Sequence, residues 1–169
     1  MLIRKLNVTD AEAFKALRIA AVQESPLSFY PSATELDAMP IEEFLAQLNT
    51  EVGNTAFGAW MNGELFAIVG LQRDGREKLR HKVNIVGVYT SPVHRGHGIA
   101  RQLVFTALEE ARSLPGVVLA TLSVYTNNYV AKSLYASFGF RSWGIERKSM
   151  LVNGEFLDEE HMSLMLDGS

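Results

Sequence analysis

The chain has 169 residues, of which 47% are hydrophobic and 21% charged, with a formal net charge of -3 and no cysteine. That composition suits one domain over residues 1–169 with a good-sized core. It excludes disulfides, thiolate chemistry and cysteine-based metal sites, and its acidic balance argues against broad attraction to nucleic acid or anionic membrane. No apolar run approaches the roughly 18 residues of a membrane span, and M-L-I-R-K-L-N-V-T-D has no leader-like apolar stretch, so a cytoplasmic protein that uses no metal is expected.

Leu2–Leu6 reads as a first strand. Thr9 or Asp10 can cap a helix whose apolar residues Phe14, Leu17, Ala21 and Val22 recur at helical spacing, and Ser25-Pro26 ends it. Leu27 to Met39 reads as a loop, with Phe29 and Tyr30 either covering the core or walling a substrate site. Pro40 opens a helix striped by Ile41, Phe44, Leu45 and Leu48, which Val52-Gly53-Asn54 breaks. Strands Thr55–Trp60 and Glu64–Leu71 flank Asn62-Gly63, a strong hairpin signal. A charged connection, Gln72 to Lys82, leads to the β-branched strand Val83–Thr90.

Pro92 marks the exit from that strand, Arg95-Gly96-His97-Gly98 forms a loop, and helical spacing starts at Ile99 and runs to about Ser113. A strand, a glycine turn and a helix start make an anion cradle. The first helical N–H groups have no partner inside the helix, and the macrodipole favours negative charge there. Arg95, Gly96, His97, Gly98, Ile99 and Ala100 are therefore candidates to hold a phosphate or pyrophosphate. Neither G-x-x-x-x-G-K-[ST] nor G-x-G-x-x-G is present. Pro115-Gly116 stops the helix. Strand Val117–Val124, a helix from about Tyr129 to Phe138 capped by Gly139, strand Phe140–Met150, a turn at Val152-Asn153-Gly154 and strand His161–Leu166 follow.

Two motifs carry a family resemblance. R-x-x-G-x-A at Arg95, Gly98 and Ala100, after V-Y-T-S-P, resembles the acyl-CoA motif of the GNAT superfamily of N-acetyltransferases. N-x-x-A-x-x-L-Y-x-x-x-G-F, at Asn128, Ala131, Leu134, Tyr135, Gly139 and Phe140, is similar to that superfamily's second motif. The resemblance implies an α+β fold: a mixed, mostly antiparallel seven-stranded sheet with helices on both faces, splayed between strands 4 and 5. It implies acetyl-CoA as co-substrate and direct transfer of the acetyl group to a primary amine, on a small molecule or a peptide N-terminus, with a homodimer allowed. The backbones of Val88 and Thr90 would pair with pantetheine amides, Asn128 would serve the same arm, and Tyr135 would protonate the departing sulfur. Locally, Asn128 is equally good as a helix cap, and Tyr135 as a core tyrosine.

The base is not determined. Strand 4 offers Lys82, Asn84 and Val86 but no carboxylate. His81, His94, Glu146, Asp158 and Glu159 are available, a water chain or an already neutral amine would serve equally, and Asp158-Glu159-Glu160 reads most simply as a solvated turn. That gap leaves one rival from another class, a non-catalytic acyl-CoA sensor.

Overall fold

The first strand, β1 (Leu2–Lys5), pairs antiparallel with β2 (Asn54–Met61), which turns at Asn62-Gly63 into β3 (Glu64–Arg73). Both turn residues take positive φ, 51° and 82°, the twist a two-residue hairpin needs. β3 pairs antiparallel with β4 (Lys82–Thr90), which runs parallel to β5 (Leu119–Tyr125). A second Asn-Gly turn, Asn153-Gly154 (φ 50° and 83°), joins β6 (Arg141–Val152) to β7 (Glu155–Met165). In this computed structural model, which describes residues 1–50 and 53–166, the seven strands form one sheet of order β1-β2-β3-β4-β5-β7-β6. It is the mixed, mostly antiparallel α+β sheet expected.

Helices cover both faces. On one, α1 (Ala11–Glu24), α2 (Ala33–Ala38) and α3 (Ile41–Gln47) bury Phe14, Leu17, Leu36 and Phe44 against Ala56, Leu65, Ile68 and Tyr89. On the other, α4 (Ile99–Ser113) and α5 (Tyr129–Ser137) cover the sheet, with Leu103, Val104, Ala107 and Leu108 of α4 buried beside Val69, Leu71, Val83 and Ile85. Each such Leu or Val contributes about 1.5–3 kcal/mol on burial.

Two irregularities position the site. The β4–β5 register covers only Lys82↔Leu119, Val83↔Ala120 and Asn84↔Thr121. Beyond Asn84 the strands part, which is the expected splay. The β3–β4 register meanwhile jumps from Gly70↔Val86 to Ile68↔Tyr89, so Gly87 and Val88 together oppose Val69. Gly87 supplies the bulge with φ 60°, a conformation other residues adopt only with strain. The extra residue reverses the alternation: Val83 and Ile85 point to the α4 face, whereas Tyr89 packs with α1.

Several local expectations change. The cap at the first helix is Asn7: its side chain accepts from Thr9 N–H and opens a 3-10 turn, Val8–Asp10, that runs into α1, while Asp10 accepts from Asn7 N–H and pairs with Arg4. The expected loop Leu27–Met39 contains α2, opened by a capping box between Ser32 and Glu35. That S-x-x-E signal was legible in the sequence. Pro40 sits one position before α3, and Val52 lies outside the described residues. β5 starts at Leu119, two residues after the expected Val117. The largest change is β7, which starts at Glu155 rather than His161. Asp158, Glu159 and Glu160 are not a solvated turn: they lie mid-strand and each carboxylate has a partner. Asp158 pairs with Arg147 at 2.6 Å, Glu160 with Lys132 at 2.5 Å, and Glu159 is buried.

Candidate active site

The wedge between β4 and β5 opens into a cleft of about 1030 Å³. At one end, after a 3-10 turn over Pro92–His94, the chain runs through Gly96 and Gly98, both left-handed at φ 79° and 74°, into α4. Gly98 is the residue before the helix and offers no capping side chain. The first bond within the helix runs from Gln102 N–H to Gly98 C=O at 3.1 Å, so the earlier N–H groups face outward. Gly96, Gly98, Ile99 and Ala100 line the cleft, as expected of a cradle; His97 does not, and its Nδ1 lies 3.3 Å from the His94 carbonyl.

Arg95 lines the cleft too, but its guanidinium is engaged. Nε donates to the Thr90 carbonyl at 2.9 Å, and Nη1 and Nη2 reach Glu24, at the end of α1, at 3.2 and 2.5 Å. The side chain straps α1 to the cradle, and the hydrogen bonds from Arg95 hold the Glu24 carboxyl below its ordinary range. The charge expected to meet a phosphate is thus shared with Glu24.

Val88, in the bulge, skips the β3 ladder. Ser91 N–H bonds to Phe66 C=O at 2.9 Å; by antiparallel alternation the main-chain groups of Thr90 then face the gap. Arg95 takes the Thr90 carbonyl, which leaves the N–H. Across the gap, Asn128 caps α5, its Oδ1 accepting from Ala131 N–H at 3.2 Å. The cap role takes the oxygen, and the residue also lines the cleft. Tyr135 is buried, packs edge-on against Phe140 at 6.0 Å and lines the same cleft. Desolvation pushes its phenol up to about 12, so it carries its proton at neutral pH.

The other side of the sheet supplies a second wall. Tyr30, Ser123 and Glu159 line it, and the Tyr30 hydroxyl donates to Glu159 at 3.0 Å. Phe29 packs edge-on against Tyr89 at 6.3 Å. Both aromatics line the cleft, and Phe29 packs against the core as well. Ser149 also donates to Glu159. Ser123 Oγ lies 2.9 Å from His161 Nδ1, and His161 Nε2 lies 3.0 Å from Glu146. A carboxylate only accepts, so Nε2 carries the hydrogen toward Glu146, and when the ring is neutral Nδ1 accepts from Ser123. Among the described residues, no group of three or more His, Asp or Glu is placed to hold a metal ion, and no helix is long and apolar enough to cross a membrane.

The sequence pattern of the acetyltransferase (GNAT) family matches residues 19–140, most of the chain. The chain belongs to the GNAT family. Over 102 residues it is 37% identical to the N-alpha-acetyltransferase RimI of Mycobacterium tuberculosis, a match spanning 60% of this chain and 61% of that relative. Among solved structures, a GNAT-family acetyltransferase from Streptococcus pneumoniae superposes with a TM-score of 0.86 at 22% identity over 98% of both chains. A phosphinothricin acetyltransferase from Sinorhizobium meliloti, solved in complex with acetyl-CoA, superposes at 0.81 and 20% identity over 98% of this chain and 88% of that one. At those identities the likeness establishes the GNAT fold.

On this wall of the GNAT cleft, Ser123, and His161 bonded to it, were not identifiable from sequence, because nothing local marks them. Among the expected bases, His94 stacks on Phe66 at 4.1 Å and meets Ser91 Oγ at 2.9 Å beside the cradle. His81 precedes β4 and lies outside the cleft lining, as does Asp158. Glu159 lines the cleft directly, and Glu146 is tied to it only through His161 and Ser123.

Proposed function

We propose that the chain is a single acetyltransferase domain that moves the acetyl group from acetyl-CoA directly to a primary amine. One observation carries this: a helix N-terminus with outward N–H groups and a protonated tyrosine share one cleft where two parallel strands separate. The RimI relative and the acetyl-CoA complex of the Sinorhizobium neighbour support the same reading.

The donor supplies an activated thioester. The chain's own groups do the rest. Main-chain N–H groups from Gly96 to Ala100 receive the diphosphate. The bulge at Gly87-Val88 and the free Thr90 N–H offer backbone to the pantetheine amides, much as an added strand would, and Asn128 Nδ2 donates to the same arm. The Val88 N–H is our candidate to polarise the thioester carbonyl. The Tyr135 hydroxyl gives its proton to the departing sulfur. On the opposite wall, the proton leaving the amine passes to Ser123 Oγ, whose own hydrogen moves to His161 Nδ1, while Glu146 fixes the ring through Nε2. This relay fills the place of the carboxylate that β4 lacks.

Thermal unfolding with and without acetyl-CoA gives the first test. Ligand at about 100 times its dissociation constant stabilises by about 2.7 kcal/mol, or roughly 5–11 °C for a domain of this size. Thiol release over a panel of amines then separates an enzyme from a sensor: a shift without thiol release leaves only the binding role.

A further inference from the structure

Among the described residues, Arg18 has no counter-ion. It sits on α1 one turn after Phe14, with its guanidinium carbon 5.7 Å from that ring. Nη1 donates to Gln47 Oε1 at 2.9 Å. Nε is buried without an acceptor, and among the described residues no carboxylate pairs with the group. Burial alone pulls its pKa below the usual arginine value. Arginine does not neutralise itself in proteins, and a desolvated charge without a partner is costly. Arg4, Arg95 and Arg147 differ in meeting carboxylates, and Arg73 in donating from two nitrogens to main-chain carbonyls.

Its position explains the exception. Arg18 lines the large cleft and, beside it, a small cavity of about 30 Å³ with Gln47, Gln72, Val86 and Gly87. That is the α1 face of the sheet, opposite the α4 and α5 face that carries Tyr135. On the same face, across the gap on β7, Glu159 presents a buried carboxylate. A cation on one bank and an anion on the other match a ligand with both charges.

We infer that the acceptor is a small amine that also carries an oxyanion, with its ammonium attracted toward Glu159 and its carboxylate or phosphonate held by Arg18. This rests on the acetyltransferase reading and adds the substrate class to it. A guanidinium fork suits planar carboxylates and phosphonates. A peptide N-terminus has an uncharged amide where a free amino acid has its carboxylate, and it leaves Arg18 unpaired.

The test follows thiol release from acetyl-CoA with α- and ω-amino acids, their amides, aminoalkyl phosphonates and C-terminally amidated peptides. The expected kcat/KM for the free acids or phosphonates exceeds that for the amides by roughly 10- to 100-fold, and the ratio falls to about one in Arg18→Met. The ratio of carboxylates to phosphonates identifies the oxyanion. Since a buried charge is removed, the Tm of Arg18→Met without ligands stays equal or rises, so loss of discrimination cannot be charged to misfolding. Equal rates for acids and amides, a preference that survives Arg18→Met, or peptides outrunning free acids each overturn the inference and leave the acetyltransferase reading standing. If no amine releases thiol, that reading fails instead. Calorimetry with 4-aminobutyrate and glycine then decides the Arg18 site: binding to wild type that Arg18→Met loses supports it, and no difference overturns it.

Discussion

The Tyr135 hydroxyl is where the residue-scale argument is sharpest. It is buried and pushed up to about 12, so it keeps its proton, and has one to give, over the whole neutral range. Tyr135→Phe removes only the oxygen. Turnover is expected to fall about 10²-fold or more while acetyl-CoA affinity by calorimetry stays near wild type; unchanged turnover removes the acid role. His161 gives a separable effect. His161→Asn breaks the link from Ser123 to Glu146. It is expected to lower kcat by about 10²-fold without changing the KM for acetyl-CoA, and Glu146→Gln, which leaves the imidazole in place, should lose less. Had the proton left by bulk water alone, both variants would match wild type.

At the scale of elements, the β4 bulge decides what the cleft is. With Gly87 at φ 60° and open space where a Cβ would stand, the cost of a side chain there is conformational rather than steric. Gly87→Ala is expected to destabilise by about 1–2 kcal/mol and, where the strand relaxes toward regular pairing with β3, to weaken acetyl-CoA binding as well. Urea unfolding and calorimetry on the same variant check the two effects. Stability lost with affinity intact would show that the bulge can be held without glycine. Other elements were open to reading from sequence: the Asn-Gly turns, the α4 stripe and the glycine after α5 are local signals. Strand β7 was not, because charges at Asp158, Glu159 and Glu160 mask the pattern. Only their partners Arg147, Tyr30, Ser149 and Lys132, drawn from three other parts of the chain, make a strand of them.

For the whole molecule, the buried phenols link fold stability to pH. Burial raises Tyr135 to about 12, and raises Tyr89 as well, with Glu24 adding to the burial effect there. The folded state then holds protons that the unfolded chain releases near pH 10. The stability tied to them is complete below about pH 10 and is lost as pH climbs toward 12. Tyr135 alone accounts for about 2–3 kcal/mol of that loss. Denaturant midpoints measured from pH 9 to 12 are expected to fall for wild type and to fall less steeply for Tyr135→Phe. Parallel slopes would show that the phenol ionises as freely in the fold as outside it.

The chain order of residues by itself gave the family resemblance, and through it the mixed sheet, together with the glycine turn before α4 and the second motif at Asn128 and Tyr135. These depend on spacing within a few turns or strands, where backbone chemistry acts locally. Only the tertiary structure decided that Glu24 holds Arg95, that Glu159 is buried, that Ser123, His161 and Glu146 connect, and that Arg18 meets no carboxylate among the described residues. Those facts depend on side chains that meet from distant segments across one sheet. Which charges end up paired is set by that packing and not by their neighbours in sequence.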